Sequence, residues 1–298
     1  MLLINKLIVA FVKLLPKTIV HLFAKKYIAG ETLDDAVRVV KELNAKGIVA
    51  TIDVLGEAIS TKEEAIHEKD ECLRVLDTIQ QNNLNANLST KPTSLGLNID
   101  TDFYLSNMRE VLDKAKKYNN FVRLDMEDSS FTTPTIEVFQ KLRKEYDNLG
   151  LVVQAYLKRT EKDVDELNKI KSNYRLCKGI YIEPAEIAFK DKQEIRDNYL
   201  LLLKKILKNK SYVGIATHDD ILVESAYKII KEMNLEKNKY EFQMLYGVQE
   251  KLRDQVNANG HLIRIYVPYG KKWYEYSVRR MQENPEIAGH ITKSIFGL

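Results

Sequence analysis

The chain has few of the residues and segments that define several large classes of protein. Its two cysteines, Cys72 and Cys177, are too few for a disulfide framework, and neither lies in a CxxC or Cys/His cluster that binds a metal. We therefore expect both thiols to be reduced, and we predict no metal site. Only 12 Gly and 6 Pro occur among 298 residues, and this composition excludes collagen-like and low-complexity chains.

An excess of charge of one sign is also lacking. The 46 basic and 42 acidic residues are mixed along the chain and leave a net charge of only +4. No basic block indicates nucleic-acid binding, so we expect no nucleic-acid partner. The phosphate-binding pattern GxGxxG and the zinc-binding pattern HExxH are absent as well.

No uninterrupted apolar run reaches the roughly 20 residues of a membrane-spanning helix. The apolar N-terminal segment is interrupted by Lys6, Lys13, Pro16, Lys17, His21, Lys25 and Lys26. It also lacks the basic, apolar and small-residue regions of a signal peptide. This pattern predicts two short amphipathic helices joined near Pro16, which either pack on the main domain or lie on a membrane surface.

From residue 47 onward, short β-rich runs alternate with stretches of helical periodicity. The β-rich runs are GIVATIDVLG, ANLSTKP, FVRLDME, LVVQAYL, YRLCKGIYI, YVGIATH, YEFQMLYG and LIRIYVPYG. The helical stretches are 62–81, 103–118, 133–149, 161–171, 192–208, 221–233 and 249–258, with start signals at Thr61 and Pro134.

Eight β segments that alternate with helices predict an α/β protein with a (β/α)8 TIM-type barrel. We expect the barrel to be a catalytic domain over residues 47–298, preceded by N-terminal helices over residues 1–46. An open, doubly wound sheet is the alternative, but its phosphate-binding pattern is missing.

In such a barrel the chemistry collects at the carboxyl ends of the strands. Polar or aromatic residues occupy these ends: Asp53, Glu57, Lys91, Asp125, Glu127, Asp128, Gln154, Tyr156, Arg175, Lys178, Tyr181, Glu183, Thr217, His218, Tyr246 and Tyr266. Each alone has an ordinary structural explanation as a cap, loop or solvated residue. Together they predict a pocket, because charges are costly on buried parallel strands unless they are paired or functional. Arg, Lys, Tyr and Gln suit an anionic or planar polar ligand, with a cofactor for the difficult chemistry.

The segment KKWYEYSVRRMQENPE, residues 271–286, adds two adjacent arginines. In a helix, Tyr276, Arg279 and Arg280 share one face. Two guanidinium groups beside a phenol suit a small carboxylate. A solvated helix with ion pairs to Glu283 is the alternative.

These stretches resemble the proline dehydrogenase family in its short, stand-alone bacterial form. The matching stretches are DVLGEA, LSTKPTSLGL, FVRLDMEDS, VVQAYLKRT, RLCKGIYIEP, IATHD, FQMLYGV and RIYVPYGKKWYEYSVRRMQENP, in the family's order. The resemblance implies a distorted barrel that binds FAD non-covalently and oxidises L-proline to 1-pyrroline-5-carboxylate. It further implies a membrane quinone as electron acceptor, a separate 1-pyrroline-5-carboxylate dehydrogenase downstream, and a cytoplasmic protein with or without peripheral contact to the cell membrane.

The resemblance also implies a role for each matched residue. Catalytic residues would be Asp125, Arg175 and Tyr266; substrate-binding residues would be Lys91, Arg279, Arg280, Tyr276, Leu245 and Glu57. Cofactor-binding residues would be Met126, Gln154, Arg175, Lys178, Gly179, Ile180, Thr217 and His218. Two alternatives stay open: a flavin barrel of the methylenetetrahydrofolate reductase type, and a catalytically silent, membrane-associated scaffold.

Overall fold

The computed structural model describes residues 26–56, 59–274 and 276–277. Eight parallel strands are hydrogen-bonded in chain order, and the last pairs with the first, so the sheet closes into a barrel. The strands are β1 (Val49–Val54), β2 (Ala86–Thr90), β3 (Val122–Leu124), β4 (Leu149–Gln154), β5 (Tyr174–Cys177), β6 (Val213–Ala216), β7 (Tyr240–Leu245) and β8 (Ile263–Tyr269). The predicted (β/α)8 barrel is confirmed.

Helices alternate with these strands and cover the outside of the barrel. They are α1 (Leu33–Asn44), α2 (Lys62–Gln81), α3 (Thr101–Lys117), α4 (Ser129–Leu142), α5 (Thr160–Asn168), α6 (Lys192–Lys208), α7 (Asp220–Glu232) and α8 (Glu250–Ala258). Helix α2 has the predicted bounds. Its N-cap Thr61 accepts a hydrogen bond from the Glu64 backbone, and the Glu64 carboxylate accepts one from the Thr61 backbone. This reciprocal capping box satisfies two donors that would otherwise lack partners.

The predicted start of α4 at Pro134 is wrong. The helix begins five residues earlier, at Ser129, and Pro134 lies inside it. Asp128 caps the helix by accepting from the Ser130 backbone, while Glu183 accepts from both the backbone and the hydroxyl of Ser129 at 2.7 Å. Because Glu183 lies 54 positions away in sequence, the local pattern could not indicate this cap.

The predicted N-terminal unit, residues 1–46, lies partly outside the described residues, and its boundary stays a prediction. In the described part, α1 packs against β1 and β8. Ile28 and Ala29 are buried, and the Ala29 backbone donates to the carbonyl of Pro268 at 2.9 Å. Among residues 26–56, 59–274 and 276–277, no helix is long and apolar enough to cross a bilayer.

Side chains alternate along the strands between an apolar outer face and a polar inner face. On β3, Val122 and Leu124 belong to the hydrophobic core between strands and helices, whereas Arg123 points to the opposite side of the sheet. On β7, Phe242 lies in the same core, and Gln243 faces the barrel interior. Barrel interiors are usually filled by branched apolar residues. Here the interior carries charge.

Candidate active site

Asp125, directly after β3, is the centre of a hydrogen-bond network at the carboxyl mouth of the barrel. One carboxylate oxygen accepts from Arg175 Nη1 at 2.6 Å and from the Ser89 hydroxyl at 2.7 Å. The other accepts from the Tyr266 phenol at 2.7 Å. The structure therefore brings together Asp125, Arg175 and Tyr266, the three residues predicted to be catalytic.

The environment of Tyr266 keeps its phenol protonated. Burial raises its pKa well above the usual value, and the neighbouring Asp125 carboxylate raises it further. The Arg175 guanidinium carbon lies 5.2 Å from the centre of the Tyr266 ring, within cation–π distance. Tyr266 is thus a fixed hydrogen-bond donor to Asp125 and a wall beside Arg175.

Lys91, after β2, forms the second charged group at this mouth. Its ammonium contacts the two carboxylate oxygens of Asp53 at 2.8 and 2.9 Å. Burial disfavours the charged form of Lys91, but the carboxylates of Asp53 and Asp125 outweigh this effect and raise its pKa. Lys91 therefore carries a positive charge at neutral pH. An ammonium group has three donors, so Asp53 does not exhaust its capacity for hydrogen bonds.

The residues predicted to bind a cofactor lie on four neighbouring strand ends, β3 to β6. Met126 follows β3, Gln154 ends β4, the segment from Lys178 to Ile180 follows β5, and Thr217 and His218 follow β6. Because these strands are consecutive in the closed sheet, their ends form one continuous arc.

Hydrogen bonds fix two members of this arc. Gln154 Nε2 donates to the Glu127 carbonyl at 2.8 Å. The Leu245 backbone donates to His218 Nε2 at 2.8 Å, so a neutral imidazole at this position carries its proton on Nδ1. Leu245, predicted to contact substrate, thereby joins β7 to the end of the arc.

Lys178 lies at the outer edge of the arc in a cationic cluster. Asp219 accepts from Lys178 Nζ at 3.1 Å and from Arg196 Nε at 2.9 Å. Burial raises the pKa of Asp219, but hydrogen bonds and charge from the two cations lower it overall. Asp219 is therefore ionised, and the cluster has an excess of one positive charge.

Three predicted substrate-binding residues, Glu57, Arg279 and Arg280, lie outside the described residues. Tyr276, the remaining member of the predicted arginine helix face, is buried just after β8. The same turn carries Trp273, whose indole donates to Glu31 at 2.9 Å. This contact attaches the start of the arginine segment to the region before α1.

Comparison with known proteins identifies the family. The model of the proline dehydrogenase family matches residues 36–293. Proline dehydrogenase 2 of Bacillus subtilis (strain 168) is 38% identical over 262 residues, which cover 88% of this chain and 86% of the relative. The chain belongs to the proline dehydrogenase family. Proline dehydrogenase of Deinococcus radiodurans is 34% identical over 277 residues, 91% of this chain and 89% of that one.

The proline dehydrogenase fold also occurs in longer solved proteins. One is proline utilization A (PutA) from Bdellovibrio bacteriovorus, inactivated by N-propargylglycine, with a TM-score of 0.82 and 27% identity. The match covers 88% of this chain and 32% of that one, so this chain spans about a third of the longer protein. The eight-stranded barrel is the shared part.

For this member of the proline dehydrogenase family, the sequence placed Asp53 and Tyr181 among the pocket residues without a specific role and did not single out Ser89. Asp53 holds Lys91, and Ser89 holds Asp125. Tyr181 lies within electrostatic reach of Lys91 and Asp125, and burial raises the pKa of its phenol. The period-2 spacing of polar residues in ANLST could have indicated Ser89 as an inward-facing residue.

Proposed function

We propose that the chain is an FAD-dependent proline dehydrogenase, which oxidises L-proline to 1-pyrroline-5-carboxylate and passes electrons to a membrane quinone. The observation that carries the proposal is the Asp125 network, because it unites Arg175 and Tyr266 at the mouth of a proline dehydrogenase barrel. Family membership also favours this reaction over a folate-type flavin barrel or a silent scaffold. The chain would act in the cytoplasm at the inner face of the membrane, as the first step of proline degradation.

The residues of the arc fit a flavin dinucleotide. Gln154, Thr217 and His218 are polar groups suited to ring and ribityl contacts, and Lys178 supplies positive charge suited to phosphate. Ile180 and Ile182 are exposed beside Lys178, by 40% and 91% of their surface, and a large planar ligand could cover such apolar area. When bound, a flavin would supply the acceptor for the hydride that leaves proline.

The charged groups can orient a small amino acid. Lys91, with Arg279 and Arg280, would bind the proline carboxylate, and Asp53 would keep Lys91 in place. Clamping one end of a rigid five-membered ring fixes the position of the opposite carbon, as hydride transfer requires. Tyr266 and Asp125 would restrain Arg175, the cation expected beside the flavin.

A spectroscopic experiment tests the oxidation step. The purified protein should be yellow, and L-proline should bleach the flavin absorbance under anaerobic conditions. L-alanine, which lacks the ring, should leave the absorbance unchanged. A colourless protein that cannot be reconstituted with FAD, or a yellow one that proline does not bleach, would refute the proposal.

The carboxylate clamp has its own test. Arg279→Met and Arg280→Met should each raise KM for proline about 10- to 100-fold, the effect of losing a hydrogen bond to a charged group. Arg109→Met is the matched control, because Arg109 is a half-exposed arginine paired with Glu145 on the surface. Equal KM values for all three variants would contradict the clamp.

The quinone and membrane assignments need a lipid assay. Proline-dependent quinone reduction should be measured with and without vesicles, comparing the full chain with a variant lacking residues 1–25. The cut stops before Ile28 and Ala29, which are buried against the barrel. Loss of vesicle stimulation in the shortened variant would support membrane contact through this segment, and equal stimulation of both proteins would contradict it.

A further inference from the structure

A chain of hydrogen bonds runs through the barrel from its amino end to Arg175. Arg264 Nε donates to Glu241 Oε1 at 2.7 Å, and Gln243 Nε2 donates to the same oxygen at 2.5 Å. Gln243 Oε1 in turn accepts from Arg175 Nε at 2.5 Å. Arg175 then reaches Asp125, so four side chains connect the floor of the barrel to the centre of the site. We call Arg264, Glu241 and Gln243 the interior relay.

Glu241 and Arg175 bind opposite ends of the Gln243 amide. An ionised carboxylate only accepts hydrogen bonds and a guanidinium only donates them, so the amide nitrogen faces Glu241 and the amide oxygen faces Arg175. Burial disfavours ionisation of Glu241, but the charge and hydrogen bond of Arg264 outweigh it and lower the pKa of the carboxyl. Glu241 is therefore ionised, and only one amide orientation satisfies both neighbours.

Gly214 makes the contact between β5 and β7 possible. It lies on β6, opposite Arg175 on one side and Glu241 on the other. A Cβ atom at position 214 would come within 2.3 Å of Gln243 Nε2. Without a side chain on the intervening strand, Arg175 and Gln243 meet across β6.

A third arginine of this region, Arg123, adds positive charge beside Arg175. Burial, and next the charge of Arg175, lower the pKa of Arg123 to about 9. Arg123 bonds to the carbonyl and the side-chain oxygen of Asn173 and is not hydrogen-bonded to the relay among the described residues. The Arg123 guanidinium thus repels Arg175, while the Gln243 amide oxygen and the Asp125 carboxylate hold Arg175 in place.

We propose that Glu241 is a positioning residue for Arg175, and that it acts by holding the Gln243 amide nitrogen, which keeps the amide oxygen against Arg175. The inference rests on the proposed function, because Arg175 is assigned to the reaction there. Glu241 touches neither substrate nor cofactor in this scheme. Its effect is to hold one edge of the Arg175 guanidinium while Asp125 holds another.

Glu241→Gln tests the relay, because it removes the negative charge and weakens the hydrogen bond that holds the Gln243 amide nitrogen. We expect kcat for proline to fall about 10- to 100-fold, the size of effect that a small misplacement of a site group produces. KM should change by less than about threefold, because Arg175 is not part of the carboxylate clamp. Gly214→Ala keeps every charge and pushes on Gln243, so it should show the same kcat and KM pattern.

Thr51→Val is the matched control. Thr51 is fully buried in the same interior and donates to Asn87, so this variant breaks a hydrogen bond there without touching the relay. It should lose thermal stability while kcat stays within about twofold. If Thr51→Val lowers kcat as much as Glu241→Gln, general loosening of the barrel explains the result and the relay is refuted.

A crystal structure of Glu241→Gln supplies a readout independent of turnover. Arg175 Nε and Gln243 Oε1 should no longer lie within hydrogen-bonding distance, about 3 Å. An unchanged contact would overturn the proposal whatever the kinetics. If the unaltered protein fails to oxidise proline, the proposed function is wrong. The position of Arg175 in the variant still shows whether Glu241 positions it. Should Glu241→Gln not fold, the same measurement on Glu241→Asp decides it, because the shorter side chain keeps the charge and withdraws the carboxylate from Gln243.

Discussion

Lys91→Met removes one partner of the ion pair at the active-site mouth and leaves Asp53 buried without its cation. The side chains of Lys91 and Asp53 are only 11% and 2% exposed. Breaking a buried pair in this way costs about 3–5 kcal/mol, because the remaining charge is neither solvated nor neutralised. Since 1 kcal/mol shifts Tm by roughly 2–4 °C in a domain of comparable size, Tm should fall by about 6–20 °C.

Lys114→Met is the control, because Lys114 forms a similar pair with Asp77 at 2.6 Å in a more exposed place. An exposed pair contributes about 0.2–1 kcal/mol, so its Tm should fall by less than about 4 °C. The double variant Asp53→Asn/Lys91→Met removes both charges and should recover most of the lost stability.

The loss caused by Lys91→Met should also depend on pH. Burial raises the pKa of Asp53, and Lys91 counteracts this shift. Without Lys91 the folded-state pKa lies further above the unfolded value of about 3.9, so stability falls as pH rises between the two values. The difference in Tm from the unaltered protein should be larger at about pH 8 than at about pH 5.

Thermal unfolding followed by circular dichroism at both pH values measures all three variants. Equal Tm losses for Lys91→Met and Lys114→Met would refute the reasoning, because burial would then have no influence on the cost. A double variant as unstable as Lys91→Met would show that lost packing of the lysine stem, not the unpaired carboxylate, causes the effect.

Two further predictions concern backbone conformation and thiol reactivity. Gly179→Ala should lower Tm and weaken flavin retention more than the control Gly47→Ala. Both glycines have positive φ, a backbone conformation that costs another residue about 1–2 kcal/mol. Only at Gly179 would the added Cβ meet another side chain, the Tyr156 ring, at 2.0 Å. Burial raises the pKa of Cys177 to about 11 and raises that of Cys72 as well. At about pH 8 only about one Cys177 thiol in a thousand is ionised, so the native protein should react slowly with a disulfide reagent. The denatured protein should titrate two thiols. Rapid labelling of the native protein would contradict this prediction.

The barrel and the location of its site were predictable because they depend on patterns that repeat along the chain. Eight β-rich runs alternating with helices predict a closed parallel sheet, and such a sheet gathers all strand carboxyl ends at one mouth. Asp125 follows strand three, whereas Arg175 and Tyr266 lie within strands five and eight; the strand pattern placed all three in one pocket, and the family resemblance grouped them as catalytic. No pairwise contact had to be known.

The partners of these residues were not predictable, because they depend on which interior side chains meet across the barrel. Asp53 and Lys91 meet across β1 and β2, and Glu183 from a distant loop adds two acceptor contacts at the start of α4. A two-residue change of register would keep Asp53 on the inner face and give it other neighbours without altering any local pattern. Sequence periodicity fixes which face a residue occupies and leaves open what it contacts there.

The glycines inside the strands carry a signal that could narrow this gap. Gly214 and Gly150 are isolated glycines in buried apolar strands, a position that weakens a strand unless something approaches closely. In both cases a polar side chain from another strand occupies the space: Gln243 Nε2 and Arg123 Nη1 would each lie 2.3 Å from the missing Cβ. A glycine on one strand, together with long polar residues at period 2 on the neighbouring strand, therefore indicates a close contact on the interior face. By this reasoning YEFQML and VGIA already indicate that Gln243 lies over Gly214, where the interior relay reaches Arg175.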